Sequence, residues 1–184
     1  MPILGEQVSL FPEWLLEDDA EVGLDRAWWV LYTKSRQEKA VARNLLEQEI
    51  PFFLPLVKKR SLWRGRKMVS YVPVFANYVF LFANQTELAK AWATNRVVRS
   101  LAVSDGQRLR NDLHKLQISI ASGKPLTVEA GLTTGMHVRV KHGPLAGLEG
   151  TVLTRRGETR LFIAVNFLKQ GVSIEIEDYL LEPI

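Results

Sequence analysis

The chain has 184 residues, 47% of them hydrophobic, no cysteine and a formal net charge of +4. That is enough apolar material for one domain or two small ones, and it excludes disulfides and thiolate metal sites. His114, His137 and His142 have no companions at zinc-like spacing, so no metal and no cofactor are expected. No stretch approaches the roughly 18 uninterrupted apolar residues of a membrane span. No basic segment followed by an apolar one opens the chain, and the sequence reads as a cytoplasmic protein with no membrane partner.

Charge is unevenly placed. Residues 1–26 hold seven acids (Glu6, Glu13, Glu17, Asp18, Asp19, Glu21, Asp25) and one base, Arg26, which leaves 23 bases against 13 acids in the remainder. A body at +10 suits a polyanionic partner, and the acidic extension would avoid that partner. Phe11, Trp14, Leu15 and Leu16 around Pro12 are too few to bury a core of their own, so residues 1–26 are expected to be mobile or docked.

Trp28–Tyr32 reads as a buried strand. Ser35 with Glu38 three positions on has the capping-box pattern for a helix that continues through Ala42, Leu45, Leu46 and Glu49 and stops at Pro51. Phe52–Val57 reads as a strand. Lys58–Lys67, KKRSLWRGRK, carries six positive charges and no negative one around Leu62, Trp63 and Gly65, and is expected to form a hairpin tip. Val69–Val74 and Tyr78–Phe82 follow as strands, Thr86–Thr94 as a short helix, Val97–Val103 as a strand before the Asp105-Gly106 turn, and Asn111–Ala121 as a helix. Ser122–Thr134, with Gly123, Pro125 and Gly131, reads as a linker.

The segment Gly135–Val152, GMHVRVKHGPLAGLEGTV, is the most informative. Val138 and Val140 alternate with Arg139 and Lys141 at a strand's period of two, and a β-branched run restarts at Thr151. Between them Gly143, Gly147 and Gly150 stand where a tight turn or a close strand approach would need glycine, and Pro144 presets φ beside the first. The segment resembles a KOW motif, the strand-loop-strand of NusG-type transcription factors and several ribosomal proteins. The element order before it is similar to the two-domain NusG family. Trp28-Trp29-Val30-Leu31-Tyr32-Thr33-Lys34 looks like that family's opening strand, and Pro73-Val74-Phe75-Ala76-Asn77-Tyr78-Val79-Phe80 like its aromatic stretch.

The resemblance implies an α+β fold: an N-terminal NGN α/β sandwich with a four-stranded, mainly antiparallel sheet, followed by a small SH3-like β-barrel. The corresponding boundaries are an acidic extension at 1–26, the NGN domain at 27–121, a linker at 122–134 and the KOW domain at 135–184. It also implies a non-catalytic elongation or antitermination factor, acting as a monomer on the large clamp-bearing subunit of RNA polymerase and on the non-template DNA strand. A ribosome-associated, rRNA-binding KOW protein is the alternative, although it leaves the aromatic stretch without a purpose. An enzyme is disfavoured because Gly143-Pro144-Leu145-Ala146-Gly147 lacks the lysine and hydroxyl of a phosphate-cradling loop. Ala76, Asn77 and Val97 depart from the general factor's usual residues and bring the pattern closer to RfaH-like specialised paralogues.

By the same resemblance, Tyr32, Phe75, Tyr78 and Phe80 match an apolar depression that grips the polymerase. Lys34, Arg36, Gln37, Asn44 and Arg96 match positions that approach the non-template strand in the specialised relatives. Lys58, Lys59, Arg60, Trp63, Arg64, Arg66 and Lys67 of the basic hairpin suit a nucleic-acid backbone and an unpaired base on charge and stacking alone. Leu145, Leu148, Phe167 and Leu168 match the family's contact surface for ribosomal protein S10 or Rho, with leucines in place of phenylalanines at the first two. The RfaH relative can refold this domain into a helical hairpin. Here Val138, Val140, Thr151, Val152, Ile163, Val165, Ile174 and Ile176 favour strands, so refolding is not expected.

Overall fold

The computed structural model describes residues 7–17, 25–132 and 134–184. Glu6, Asp18, Asp19 and Glu21 of the acidic extension, and Thr133 of the expected linker, lie outside them. The chain divides into two compact units, Met1–Gly106 and Gln107–Ile184.

The first unit is built on a five-stranded antiparallel sheet in the order β1-β3-β6-β2-β7. These strands are β1 (Leu10–Phe11), β2 (Ala27–Thr33), β3 (Phe52–Phe53), β6 (Tyr78–Ala83) and β7 (Val97–Ala102). Four come from the stretch expected to supply them. The fifth, β1, comes from the extension, which is therefore docked over its described part.

Alternation in β2 and β6 sends Leu31, Val79 and Leu81 to one face, where they meet α1 (Glu38–Glu47) and α2 (Gln85–Ala93). Val41, Ala42 and Leu45 of α1 and Leu88 and Ala91 of α2 complete that core together with Phe52. Each fully buried side chain of Leu or Phe size contributes about 1.5–3 kcal/mol.

The capping box forms on α2, where the Asn84 side chain accepts from the Glu87 N–H and the Glu87 carboxylate accepts from the Asn84 N–H. The pairing expected of Ser35 and Glu38 is absent. Gln37 is the N-cap of α1, without a side-chain bond, and the Glu38 carboxylate accepts from the backbone N–H of Asn77 at 2.7 Å instead. Glu38 thus fastens the aromatic stretch to the start of the helix.

The basic segment is longer and more regular than a tip. Strands β4 (Leu56–Trp63) and β5 (Arg66–Pro73) form a two-stranded sheet of their own, paired from Leu56–Pro73 to Trp63–Arg66. Only Arg64 and Gly65 make the turn, both with positive φ, +48° and +74°. That is the combination a two-residue I′ hairpin turn requires.

The second unit carries α3 (Gly106–Ala121) along nearly all its length and an antiparallel sheet of six strands in the order β13-β9-β10-β11-β12-β8. The strands are β8 (Thr127–Ala130), β9 (His137–Val140), β10 (Glu149–Arg155), β11 (Glu158–Val165), β12 (Gln170–Glu175) and β13 (Leu181–Pro183). Gly143 and Gly147 turn with φ of +90° and +84°. At Gly150 a Cβ would meet the Phe162 carbonyl oxygen at 2.5 Å, so the close strand approach fixes glycine there.

Two differences from the expected organisation follow from pairing. Thr127–Ala130, inside the expected linker, is a strand because β12 offers it a partner from Gln170 to Ser173. The border between the units falls before α3 and not after it, and the Asp112 carboxylate of α3 accepts from the backbone N–H and side-chain amide of Asn166 at 2.9 and 3.0 Å.

Candidate functional site

The aromatic edge is set by strand register. Tyr32 and Tyr78 are direct cross-strand partners on β2 and β6, half-buried, with ring centroids 5.3 Å apart in an edge-on arrangement. Arg99 faces Tyr32 across β2 and β7 and places its guanidinium 5.3 Å from the ring centroid. Asn77, at φ +70°, closes the group: its carbonyl accepts from the Thr33 N–H at 2.7 Å and its amide reaches the Tyr32 hydroxyl at 3.5 Å.

Phe75 and Phe80 do not share this exposure. They are 2% and 0% exposed, so both are interior and offer no contact surface. Phe80 pairs with Val30 and Phe53 in the sheet, and its ring stacks on Phe53. Arg99, which no motif in the sequence singles out, completes the edge in their place. Period-two alternation along β7 puts it beside Tyr32 only once the β2–β7 pairing is known.

A second cluster lies where the chain leaves β2 and enters β7. The Lys34 N–H donates to the Arg96 carbonyl at 2.8 Å, the Gln37 N–H to the Lys34 carbonyl at 3.1 Å, and Arg96 Nε to Gln37 Oε1 at 3.0 Å. Lys34, Arg36 and Arg96 are exposed. Four of the five residues expected to approach DNA are thus neighbours. Asn44 sits two helical turns along α1 from Gln37, and its side-chain oxygen accepts from Gln48 Nε2 at 2.5 Å.

The hairpin presents cations on both faces. Cross-strand pairing puts Lys58, Arg60 and Lys67 on one side with Leu62, Val69 and Tyr71, and Lys59 and Arg66 on the other with Trp63 and Met68. Trp63 is 60% exposed, and the Arg64 guanidinium lies 4.5 Å from its ring centroid. Exposed apolar groups interleaved with cations give both stacking and charge attraction.

In the second unit, Leu145 and Leu148 are buried at 2% and 4% exposure and belong to the core. Phe167 and Leu168, on a short 3₁₀ turn at Asn166–Leu168, are half-buried and keep some accessible surface. The same unit holds a buried polar network. Arg160 donates to Ser173 Oγ (2.8 Å), Ser173 O (2.9 Å) and Thr127 Oγ1 (3.0 Å). Ser173 Oγ donates to Glu129 Oε1 at 2.6 Å, and Arg155 pairs with Glu129 Oε2 at 2.7 Å. Among the described residues, no helix is long and apolar enough to cross a membrane and no acid, histidine or cysteine cluster could hold a metal ion.

The first unit thus presents an aromatic edge and a cation-rich hairpin, and the second a β-sheet domain. Residues 26–111 match the family model described as NusG, transcription termination factor nusG. Over those residues the chain is similar to the NusG family. It is similar to "Transcription termination/antitermination protein NusG" of Borreliella burgdorferi, 24% identical over 88% of this chain and 100% of the relative. The protein of the same name from Lactococcus lactis is 23% identical over 92% of this chain and 99% of that one. Among solved structures, one described as "Domain interaction in Thermotoga maritima NusG" is 17% identical, with a TM-score of 0.43, over 86% of this chain and 97% of that one.

Proposed function

We propose that the chain is an elongation and antitermination factor that binds RNA polymerase through residues 27–121, counters pausing or termination, and recruits a further partner through residues 135–184. The observation that carries this reading is the Tyr32–Tyr78 pair, two half-buried aromatic rings fixed by strand register and flanked by Arg99 at a sheet edge. Rigid aromatic rings with a neighbouring guanidinium are the residue types that dominate protein-protein anchors, since they give large contact area at little entropic cost. Phe75 and Phe80 support the edge from the interior. The partner surface on polymerase is the large clamp-bearing subunit.

Lys34, Arg36, Gln37 and Arg96 would face the exposed non-template strand, and the hairpin would hold phosphates. Gln37 can read a base edge, whereas the cations hold backbone. Ala76, Asn77 and Val97 favour a specialised factor over a general one. For the C-terminal unit, Phe167 and Leu168 are the residues left to meet ribosomal protein S10 or Rho. Binding a closed, elongating polymerase more tightly than a paused one would shift the equilibrium by that difference in affinity.

The test is run-off transcription on a template with a strong pause, combined with capture of core polymerase on the immobilised chain. Shortened pauses and retention of polymerase that the Tyr78→Ala variant loses are expected. Retention of ribosomes without polymerase would replace this reading by that of an rRNA-binding protein.

A further inference from the structure

The family match begins at residue 26, yet the sheet of the first unit is completed by residues that precede it. Strand β3 has two residues, Phe52 and Phe53, both 0% exposed. It pairs with β6 on one side and with Leu10 and Phe11 on the other. The pairing extends past the strand itself. The Leu54 N–H donates to the Ser9 carbonyl at 2.7 Å, and Ser9 Oγ donates to the Leu54 carbonyl at 2.8 Å.

Side chains reinforce the backbone pairing. Phe11 packs on the core that β3 shares with α1 and α2. Beyond Pro12 the chain turns, the Leu15 N–H donating to the Pro12 carbonyl at 3.0 Å, and Leu15 and Leu16 are each only 3% exposed. At the other end, Arg43 of α1 donates to Gln7 Oε1 at 3.2 Å. The segment is anchored at its start, along its strand and at its end.

We propose that the outer edge of β3 is a strand-accepting site, and that residues 7–17 are its resident ligand, supplied by the chain itself. An unpaired sheet edge is the template on which extended peptides add as a further strand, with backbone bonds giving affinity and side-chain seats giving specificity. Here the backbone seat is Phe52–Leu54, and the specificity lies in Phe11 and the Leu15–Leu16 pair. The site fits an extended segment with a small hydroxyl residue, an apolar pair and a leucine pair after a turn. Because the resident segment is tethered, it acts at an effective concentration of roughly millimolar order, so a competing strand in solution displaces it only at comparable levels.

The test uses the whole chain with a protease site placed between Glu17 and Asp25, cut after folding. The N-terminal fragment should stay with the body through gel filtration at low micromolar protein, and a labelled synthetic peptide of residues 7–17 should exchange into its place. The peptide carrying Leu15→Asp and Leu16→Asp should need at least tenfold higher concentration. Loss of the wild-type fragment from a body that keeps its circular dichroism, or equal exchange by the substituted peptide, would overturn the proposal. If cutting unfolds the body, amide hydrogen exchange on the intact chain decides. The Leu54 amide should exchange at least tenfold more slowly in the wild type than in the Leu15→Asp, Leu16→Asp chain, and equal rates would overturn the assignment.

Discussion

Tyr32 and Tyr78 differ from Phe75 and Phe80 in a way that strand alternation alone does not reveal. Tyr32, Tyr78, Val30 and Phe80 lie on the same face of the paired strands, but only the tyrosines at the end of the pairing keep accessible surface. Which end of a strand is covered depends on what packs over it, and the residues of the strand do not encode that. Tyr78→Ala should therefore weaken polymerase binding by about 2 kcal/mol or more, as truncation of a central aromatic anchor does. Phe75→Ala should act on the fold instead, lowering stability by about 3–5 kcal/mol through the cavity it leaves. Titration of core polymerase beside urea unfolding separates the two effects; equal losses of affinity at unchanged stability would return Phe75 to the contact surface.

Glu87 is another residue whose role only the folded chain discloses. It closes the capping box with Asn84 and forms a two-bond pair with Arg26, whose nitrogens lie 2.6 and 3.0 Å from its oxygens. The hydrogen bond from Arg26, together with its charge and the Asn84 N–H, outweighs desolvation and holds the carboxyl below its ordinary range. The unfolded chain therefore binds that proton more readily, so the stabilisation is complete above the ordinary glutamate range and is lost as pH falls through and below it. Glu87→Gln should shrink the loss of urea stability between neutral pH and about pH 3. An unchanged pH dependence would show that another carboxylate carries it.

At the scale of elements, the hairpin was legible in part. Six cations around Arg64-Gly65 announced an exposed turn, but the length of the ribbon was hidden because the whole of Lys58–Lys67 read as the tip and Val69–Val74 as a separate strand. Met68, Val69 and Tyr71 are 48%, 53% and 44% exposed, since β4 and β5 pair only with each other. The helix starts show the converse. Ser35 and Glu38 have the spacing of a capping box, yet Arg36 adopts φ +60° and breaks the local geometry, leaving Glu38 to hold the Asn77 N–H. The extension's strand was invisible because Leu10 and Phe11 are too short a run to carry a period.

Cations on both faces give the hairpin a testable signature. The triple variant Lys58→Ala, Lys59→Ala, Arg60→Ala should weaken binding to every elongation complex alike, and should lower the log-log salt slope by about 0.7–0.9 for each phosphate left without its cation. Arg96→Ala should instead discriminate among bubble sequences, because Arg96 is bonded to Gln37 and their cluster contains the one amide able to read a base edge there. Fluorescence titrations over a salt series on two bubble sequences check both. Equal weakening on each sequence for Arg96→Ala would make it a phosphate clamp.

At the scale of the whole chain, glycine and proline around Ser122–Thr134 conceal a strand of modest propensity, β8. Val128 is 48% exposed, so β8 lacks the apolar alternation that marks a half-buried strand, and the side chains on its inner face are the polar Thr127 and Glu129. Glu129 matters most. It is 8% exposed, accepts from Ser173 Oγ and pairs with Arg155, while Thr127 accepts from Arg160. A fragment of residues 135–184 would lack β8 and both of these side chains, leaving the edge of β12 unpaired and the buried Ser173 hydroxyl without its acceptor. Each buried polar group so orphaned costs about 1–3 kcal/mol. The fragment 122–184 should therefore fold with a β-sheet spectrum and resist urea, and 135–184 should be less stable by about 2 kcal/mol or more. Glu129→Ala in 122–184 should reproduce much of that difference on its own. Equal midpoints for the two fragments would mean that β8 is a linker in function, whatever its pairing, and would restore the border at Gly135.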